Sequence, residues 1–319
     1  MGLWKLAAVA LLGTAAIAGC GGGNGGGLNV PSGNQGQIVF LSDRDQFGKF
    51  YSMDANGGNV KLLGDTAGNV SYPRFSYDGR KIAYIRRNNL WLMNSDGTGP
   101  QQVTQFKEVP FEQDLRLSPG APSLSPDGCE LVFTLETADS VQGNNEIWKI
   151  NVNGSGLKRL TTNIREDTDP VWSPDGQNIV FYGYSVGREI TPDSLYRIRL
   201  IDKDGNNERI LTPAGVADSS PSFSRDGRQI VFQSSKGNSS GIWVMDVDGK
   251  NRRQVLALTG VIVSPNPAFS PDGRSIVFSA SREITNNMTN QEIYSIGIDG
   301  KNERRLTNDP AVDTQPTWG

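Results

Sequence analysis

"FSPDGRSIVFSA", residues 269–280, is the phrase on which the reading of this chain turns. Close variants stand at 75–86 ("FSYDGRKIAYIR"), 124–135 ("LSPDGCELVFTL"), 172–183 ("WSPDGQNIVFYG") and 223–234 ("FSRDGRQIVFQS"), and the chain ends at 316–319 with "PTWG", the start of a further copy. Aligned on the leading prolines, Pro73, Pro122, Pro170, Pro221, Pro267 and Pro316, the intervals are 49, 48, 51, 46 and 49 residues. A period of that length points to a propeller or a solenoid.

Each unit holds four β-like segments. The first is P-x-aromatic-S. The turn that follows is built for reversal, because Pro presets φ, Asp bonds nearby backbone and Gly accepts positive φ. An apolar "IVF" run comes next, then a third segment such as "EIWKIN" (146–151) or "GIWVMD" (241–246), a second Asp-Gly turn and a short "RRLT" or "KRLT". No segment keeps a helical period. Four short strands joined by turns make a meander, the blade of an all-β propeller.

One blade cannot cover both faces of its own sheet, so blades must pack on one another. The aromatic columns are expected between them: Phe75, Leu124, Trp172, Phe223, Phe269 and Trp318 on first strands; Phe40, Tyr84, Phe133, Phe181, Phe232 and Phe278 on second; Tyr51, Trp91, Trp148, Tyr196, Trp243 and Tyr294 on third. "GQIVFLS" (36–42) is a second strand with no first strand before it, and "QPTWG" (315–319) is a first strand with no second after it. Joined, they complete a sixth blade, so the expected fold is a six-bladed ring of four-stranded antiparallel blades closed by its two ends, which pairs edges an open array would expose.

These residues, P-x-W-S-P-D-G, I-V-F, I-W-x-M-D-x-D-G and R-x-L-T, resemble the TolB-like propeller repeat, a relative of the WD repeat, over about residues 37–319. The Gly-His and Trp-Asp dipeptides of true WD repeats are absent. TolB proteins carry an N-terminal α/β domain before their propeller, which is missing here. The resemblance implies a propeller, a place in the bacterial envelope and a bias toward binding proteins.

The N-terminus reads as an address. Lys5 precedes an apolar run from Leu6 to Ile17, too short for a comfortable membrane span, and small residues follow. Ile17-Ala18-Gly19-Cys20 resembles a bacterial lipobox, whose cysteine is acylated. The expected division is 1–19 signal peptide, 20–36 lipidated Cys20 with a glycine-rich tether, and 37–319 propeller. A flexible tether of that composition reaches roughly 20–25 Å. Gly21 rather than Asp follows Cys20, which in the lipoproteins it resembles directs the protein to the periplasmic face of an outer membrane; without one, the outer face of the plasma membrane is expected. Cys129 is then an unpaired thiol.

Composition narrows the chemistry. The 319 residues are 36% hydrophobic with a net charge of −3 and no basic stripe, which argues against nucleic acid. Histidine is absent. That excludes Ser-His-Asp and Cys-His nucleophiles and His-ligated zinc, and no P-loop, GxSxG, HExxH or CxxC occurs. Oligogalacturonate lyases share a similar repeat, but their chemistry relies on histidines.

Strand parity assigns the faces. The tight Asp-Gly turns share one face; the other collects the long insertions at 104–121, 136–145, 184–193 and 280–291. Long loops on a rigid scaffold are the usual place for recognition. "REIT" occurs in two of them, at 188–191 and 282–285, as blade duplication would leave it. Asp167, Asp218 and Asp313 stand three residues before a leading proline, with Asp169 and Glu166 nearby. Converging on a channel mouth, these carboxylates could hold Ca²⁺ or the cationic end of a peptide; each could equally bond backbone and cap its own inter-blade link. The expected function is a non-catalytic, monomeric envelope lipoprotein that binds a protein or peptide through the loop face and channel mouth. The alternative is a carbohydrate-active hydrolase or lyase, or a glycan-binding propeller, using the channel carboxylates.

Overall fold

The computed structural model describes residues 36–45, 48–64, 69–106, 120–137, 144–185, 195–237, 239–258, 265–281, 284–285 and 288–319. The signal, Cys20 and nearly all of the tether lie outside them, as do most of the long insertions and the first "REIT".

The described strands form six four-stranded antiparallel sheets and one small hairpin, Ile284–Thr285 with Met288–Thr289. Blade 1 runs Asp313–Trp318, Ile38–Ser42, Lys49–Met53, Lys61–Leu62 from axis to rim. Blades 2 to 6 begin on inner strands Val70–Phe75, Gly120–Leu124, Arg165–Trp172, Ala217–Phe223 and Ala268–Phe269. Outer strands are two residues long, except Arg253–Leu258 of blade 5.

Closure is as the sequence implies. Ile38 pairs with Trp318 and Ser42 with Asp313. Beyond the strands, Gln37 and Gly319 exchange N–H···O bonds of 2.9 and 3.0 Å. Gly36, at φ +49°, lies so close to the Trp318 indole that a Cβ would come within 2.2 Å of its Nε1, so glycine is required where the head meets the tail.

The repeated turn is a small hydrogen-bonded device. Ser270 Oγ donates to Asp272 Oδ1 (2.6 Å) and accepts from Ser275 N (2.9 Å), while Asp272 Oδ1 also accepts from Arg274 N. Blades 2, 3, 4 and 5 repeat the Ser–Asp bond.

The "IVF" run explains how the ring packs. Successive side chains on a strand point to opposite faces. Ile38 and Phe40 pack with blade 6 residues such as Val277 and Ile293, whereas Val39 packs with Ile82 and Tyr84 of blade 2. The same division holds in every blade, so six apolar clusters fill the six inter-blade gaps. Phe40, Tyr84, Phe133, Phe181, Phe232 and Phe278 are all fully buried, each contributing about 1.5–3 kcal/mol.

The third-strand column differs from expectation in blade 4. Phe181 pairs with Arg199, as Phe133 pairs with Trp148 and Phe232 with Trp243. Arg199, not Tyr196, therefore holds the column position; it is buried and paired with Glu208 at 2.5 Å. Tyr196 lies three residues upstream and 38% exposed. In the same column Tyr51 and Tyr294 are buried, whereas Trp91, Trp148 and Trp243 are half-buried.

Candidate functional site: the central channel and its two mouths

The carboxylates expected to converge are closed inside their own blades. Asp167, Asp218 and Asp313 are each 0% exposed. Asp313 accepts two bonds from Arg44 Nη2, at 3.1 and 2.9 Å, and Arg44 in turn lies 4.5 Å over the Tyr51 ring. Asp218 accepts from Arg252 Nη2 at 2.7 Å, and Arg252 lies 4.7 Å over Trp243. Asp167 accepts from Asn163 Nδ2 at 2.6 Å, with Arg165 Nε at 3.5 Å. Gly183 makes room for it, since a Cβ there would lie 2.3 Å from Asp167 Oδ1. Burial raises the pKa of all three, and that of Asp167 reaches about 6 because burial outweighs Asn163 and Arg165 while Glu146 and Glu208 add repulsion. None of the three lines the channel cavity, and among the described residues no three His, Cys, Asp or Glu side chains gather as a metal site would need. Each Asp is taken up by a cation or amide of its own blade or of the link that enters it.

Asp169 behaves otherwise, and a feature of every blade explains why. The residue before each leading proline, Tyr72, Ala121, Asp169, Ser220, Asn266 and Gln315, has φ between +42° and +55°. Pre-proline residues ordinarily prefer extended backbone, so these are six strained positions of one kind. The strand registers shift at this point. The bulge breaks the two-residue alternation, and Tyr72, Asp169, Ser220, Asn266 and Gln315 all line the channel.

The channel is crossed at this level. Arg74 Nη2 of blade 2 donates to Asp169 Oδ1 of blade 4 at 3.0 Å. Tyr77 of blade 2 donates its hydroxyl to Trp172 O of blade 4. Both reach past blade 3, whose inner strand "GAPSL" (120–124) is built of small residues. From this level to the short-turn face runs a cavity of about 110 Å³, lined by the pre-proline residues, inner-strand aromatics, serines and Arg225.

The long-loop face carries a different chemistry. Tyr184 and Tyr196 meet at 4.6 Å between ring centroids, with Tyr182 5.6 Å from Tyr196. Tyr72 at the channel mouth is 44% exposed, and Ile164 and Val312, on inter-blade links of this face, are 86% and 37% exposed. Glu166 is beside them, its Oε2 accepting from Asn145 N at 2.8 Å.

Two buried acids escaped the sequence reading. Glu146 accepts from Asn144 Nδ2, Arg159, the Thr161 hydroxyl and Asn163 N. Glu292 repeats the set with Asn290, Arg305, Thr307 and Asp309. The threonines also accept from Ile147 N and Ile293 N, both at 2.9 Å. The signal was present, since "E-I-W/Y" precedes "R-L-T" at 13 to 15 residues in both blades, but only the fold shows that the acid faces the threonine.

Comparison with known proteins follows this geometry. The TolB beta propeller domain family model matches residues 184–319, and the dipeptidyl peptidase IV N-terminal region model matches residues 43–109. A TolB homologue of Chlorobium chlorochromatii is 28% identical over 145 residues. This chain is a TolB-like propeller protein. An uncharacterized protein of Agrobacterium fabrum is 28% identical over 205 residues, 62% of this chain and 66% of that protein. The Chlorobium match covers 46% of this chain and 30% of that protein. The TolB-like chain thus spans less than two thirds of these curated relatives. The crystal structure of TolB from Acinetobacter baumannii superposes with a TM-score of 0.71 at 23% identity, covering 91% of this chain and 68% of that one, a likeness of fold.

Proposed function

We propose that this TolB-like propeller is a non-catalytic scaffold of the bacterial envelope that binds a protein partner on its long-loop face. The observation that carries the reading is the exposed apolar surface on that face: Tyr72 at the channel mouth, Tyr196 at the start of a third strand, and Ile164 and Val312 on inter-blade links. Aromatic residues dominate the energetics of protein interfaces, and a rigid six-bladed frame presents them without an ordering cost. The channel at this end is narrowed by the Arg74–Asp169 pair, which favours contact with the surrounding surface over deep insertion. Support for a scaffold over an enzyme comes from the acids: Asp167, Asp218, Asp313, Glu146 and Glu292 are buried and each bonds a cation or amide close by in the chain or in its own blade.

The position of the head supports lipid tethering through Cys20. Gly36 lies against Trp318 beside Gly319, on the short-turn face. A tether leaving there holds that face toward the membrane and turns the long-loop face outward.

The test is a crosslinking pull-down from envelope extract with the full chain and a Tyr72→Ser, Ile164→Ser, Tyr196→Ser variant. All three side chains are exposed, so the variant should fold; it should lose a partner that the native chain captures. Equal capture by both, or no captured partner, contradicts the reading. Cys20→Ser should release the protein from the membrane fraction.

A further inference from the structure

The short-turn end of the channel carries a separate feature. In blades 3, 4 and 6 the residue after the turn serine is proline: Pro126, Pro174 and Pro271. Proline suits this turn, presetting its φ and stiffening the unfolded chain. Blade 2 has Tyr77 there and uses it, through the bond to Trp172 O. Blade 5 has Arg225, and nothing in the described residues uses it. No hydrogen bond or ion pair holds its guanidinium, and its Nε is buried without a partner. Burial disfavours its charge, and Asp78 across the mouth is the one carboxylate that draws it. A buried donor left unpaired is costly, and native structures rarely keep one without a reason.

The surroundings specify what would satisfy it. Asp169 is the single carboxylate side chain lining the channel, and Arg74 already neutralises it. Arg225 is therefore the one charged side chain of the described lining without a bonded partner, and it is positive; Gly319 also borders the cavity. Sharing the cavity with it are Ser222 and the rings of Phe75 and Phe223; the Ser76 and Ser270 hydroxyls are held by their own turns. The cavity, about 110 Å³, is somewhat smaller than the roughly 150 Å³ cavity that takes benzene. It suits one small anionic group with an apolar stem, and not a sugar chain.

We propose that Arg225 heads an anion site at the short-turn mouth of the channel, and that its ligand is a carboxylate carried on a short apolar stem. The planar guanidinium fork matches a carboxylate bidentately. One unpaired cation balances one negative charge, which favours a carboxylate over a phosphate dianion. The inference does not rest on the loop-face reading, since the site lies at the opposite end of the channel.

A free organic acid and a peptide C-terminus share this chemistry, and the test separates them. Calorimetric titration of the full chain would use propionate against propionamide, N-acetylalanine against its amide, and inorganic phosphate. The acids should bind and the amides should not, and the tighter acid identifies the source. Arg225→Gln should weaken binding about tenfold or more, the worth of a charged hydrogen bond. Arg225→Pro restores the residue of the sister turns, so it should melt at or above the native temperature while losing the acids equally. Acids and amides binding alike, phosphate binding in preference, undiminished binding to both variants, or no binding at millimolar concentration would each overturn the proposal.

Discussion

Whether a carboxylate is a ligand or a strut depends on its immediate neighbours. Asp167, Asp218 and Asp313 occupy equivalent places in the repeat, and their spacing was plain in the sequence. Their role was not, because the partners come from other parts of the blade: Arg252 is 34 residues from Asp218, and Arg44 is 269 from Asp313. Asp167 is the most weakly compensated, and its pKa near 6 has a consequence for stability. A carboxyl whose folded pKa lies above its unfolded value holds its proton more tightly in the fold. Its contribution is complete below about pH 4 and is lost as the pH rises through about 6. Two units of displacement correspond to about 3 kcal/mol. Denaturant unfolding from pH 4 to 7 should therefore show the native protein losing about 2–3 kcal/mol relative to Asp167→Asn, which cannot titrate. Parallel pH profiles for the two proteins would show that Asp167 does not titrate in this range.

The inner strand is the element where sequence and structure part company most. The turn serine, aspartate and glycine were legible as a turn because their chemistry is local. The "IVF" run was legible as a strand because its apolarity on both sides matches burial between two blades. The bulge before each proline was not legible: pre-proline residues prefer extended backbone, and only the closed ring forces positive φ on residues as different as Tyr72 and Ala121. The misplaced third-strand column of blade 4 has a similar origin, since a tyrosine three residues early looked more like the repeat than the arginine that holds the place. The bulge gives a direct prediction. At Ser220, φ is +51°. Valine, with its branched Cβ, should cost about 1–3 kcal/mol there, whereas glycine should be close to neutral, because relief of strain offsets its greater freedom when unfolded. Chemical denaturation of Ser220→Val and Ser220→Gly checks this; equal effects would mean that the backbone at this level is not held in the left-handed region.

At the scale of the molecule, the six inter-blade clusters make each blade depend on its two neighbours. The count of blades and the joining of the ends were readable from the period and from the half-units at 36–42 and 315–319. The loop face was readable as a face, but not its aromatic surface, which depends on which tyrosines remain exposed after packing. Nor was the cross-channel pair, because Arg74 and Asp169 are 95 residues apart and meet only across the recessed strand of blade 3.

Thermal and denaturant unfolding of the chain lacking residues 316–319 probes ring closure most directly. The deletion removes half of the strand that pairs with Ile38–Ser42, Trp318 included, and the Gln37–Gly319 bonds. Loss of a packed tryptophan alone costs about 3–5 kcal/mol, so the midpoint should fall by at least that equivalent, or the chain should fail to fold. An unchanged midpoint would mean that the two ends do not close the ring.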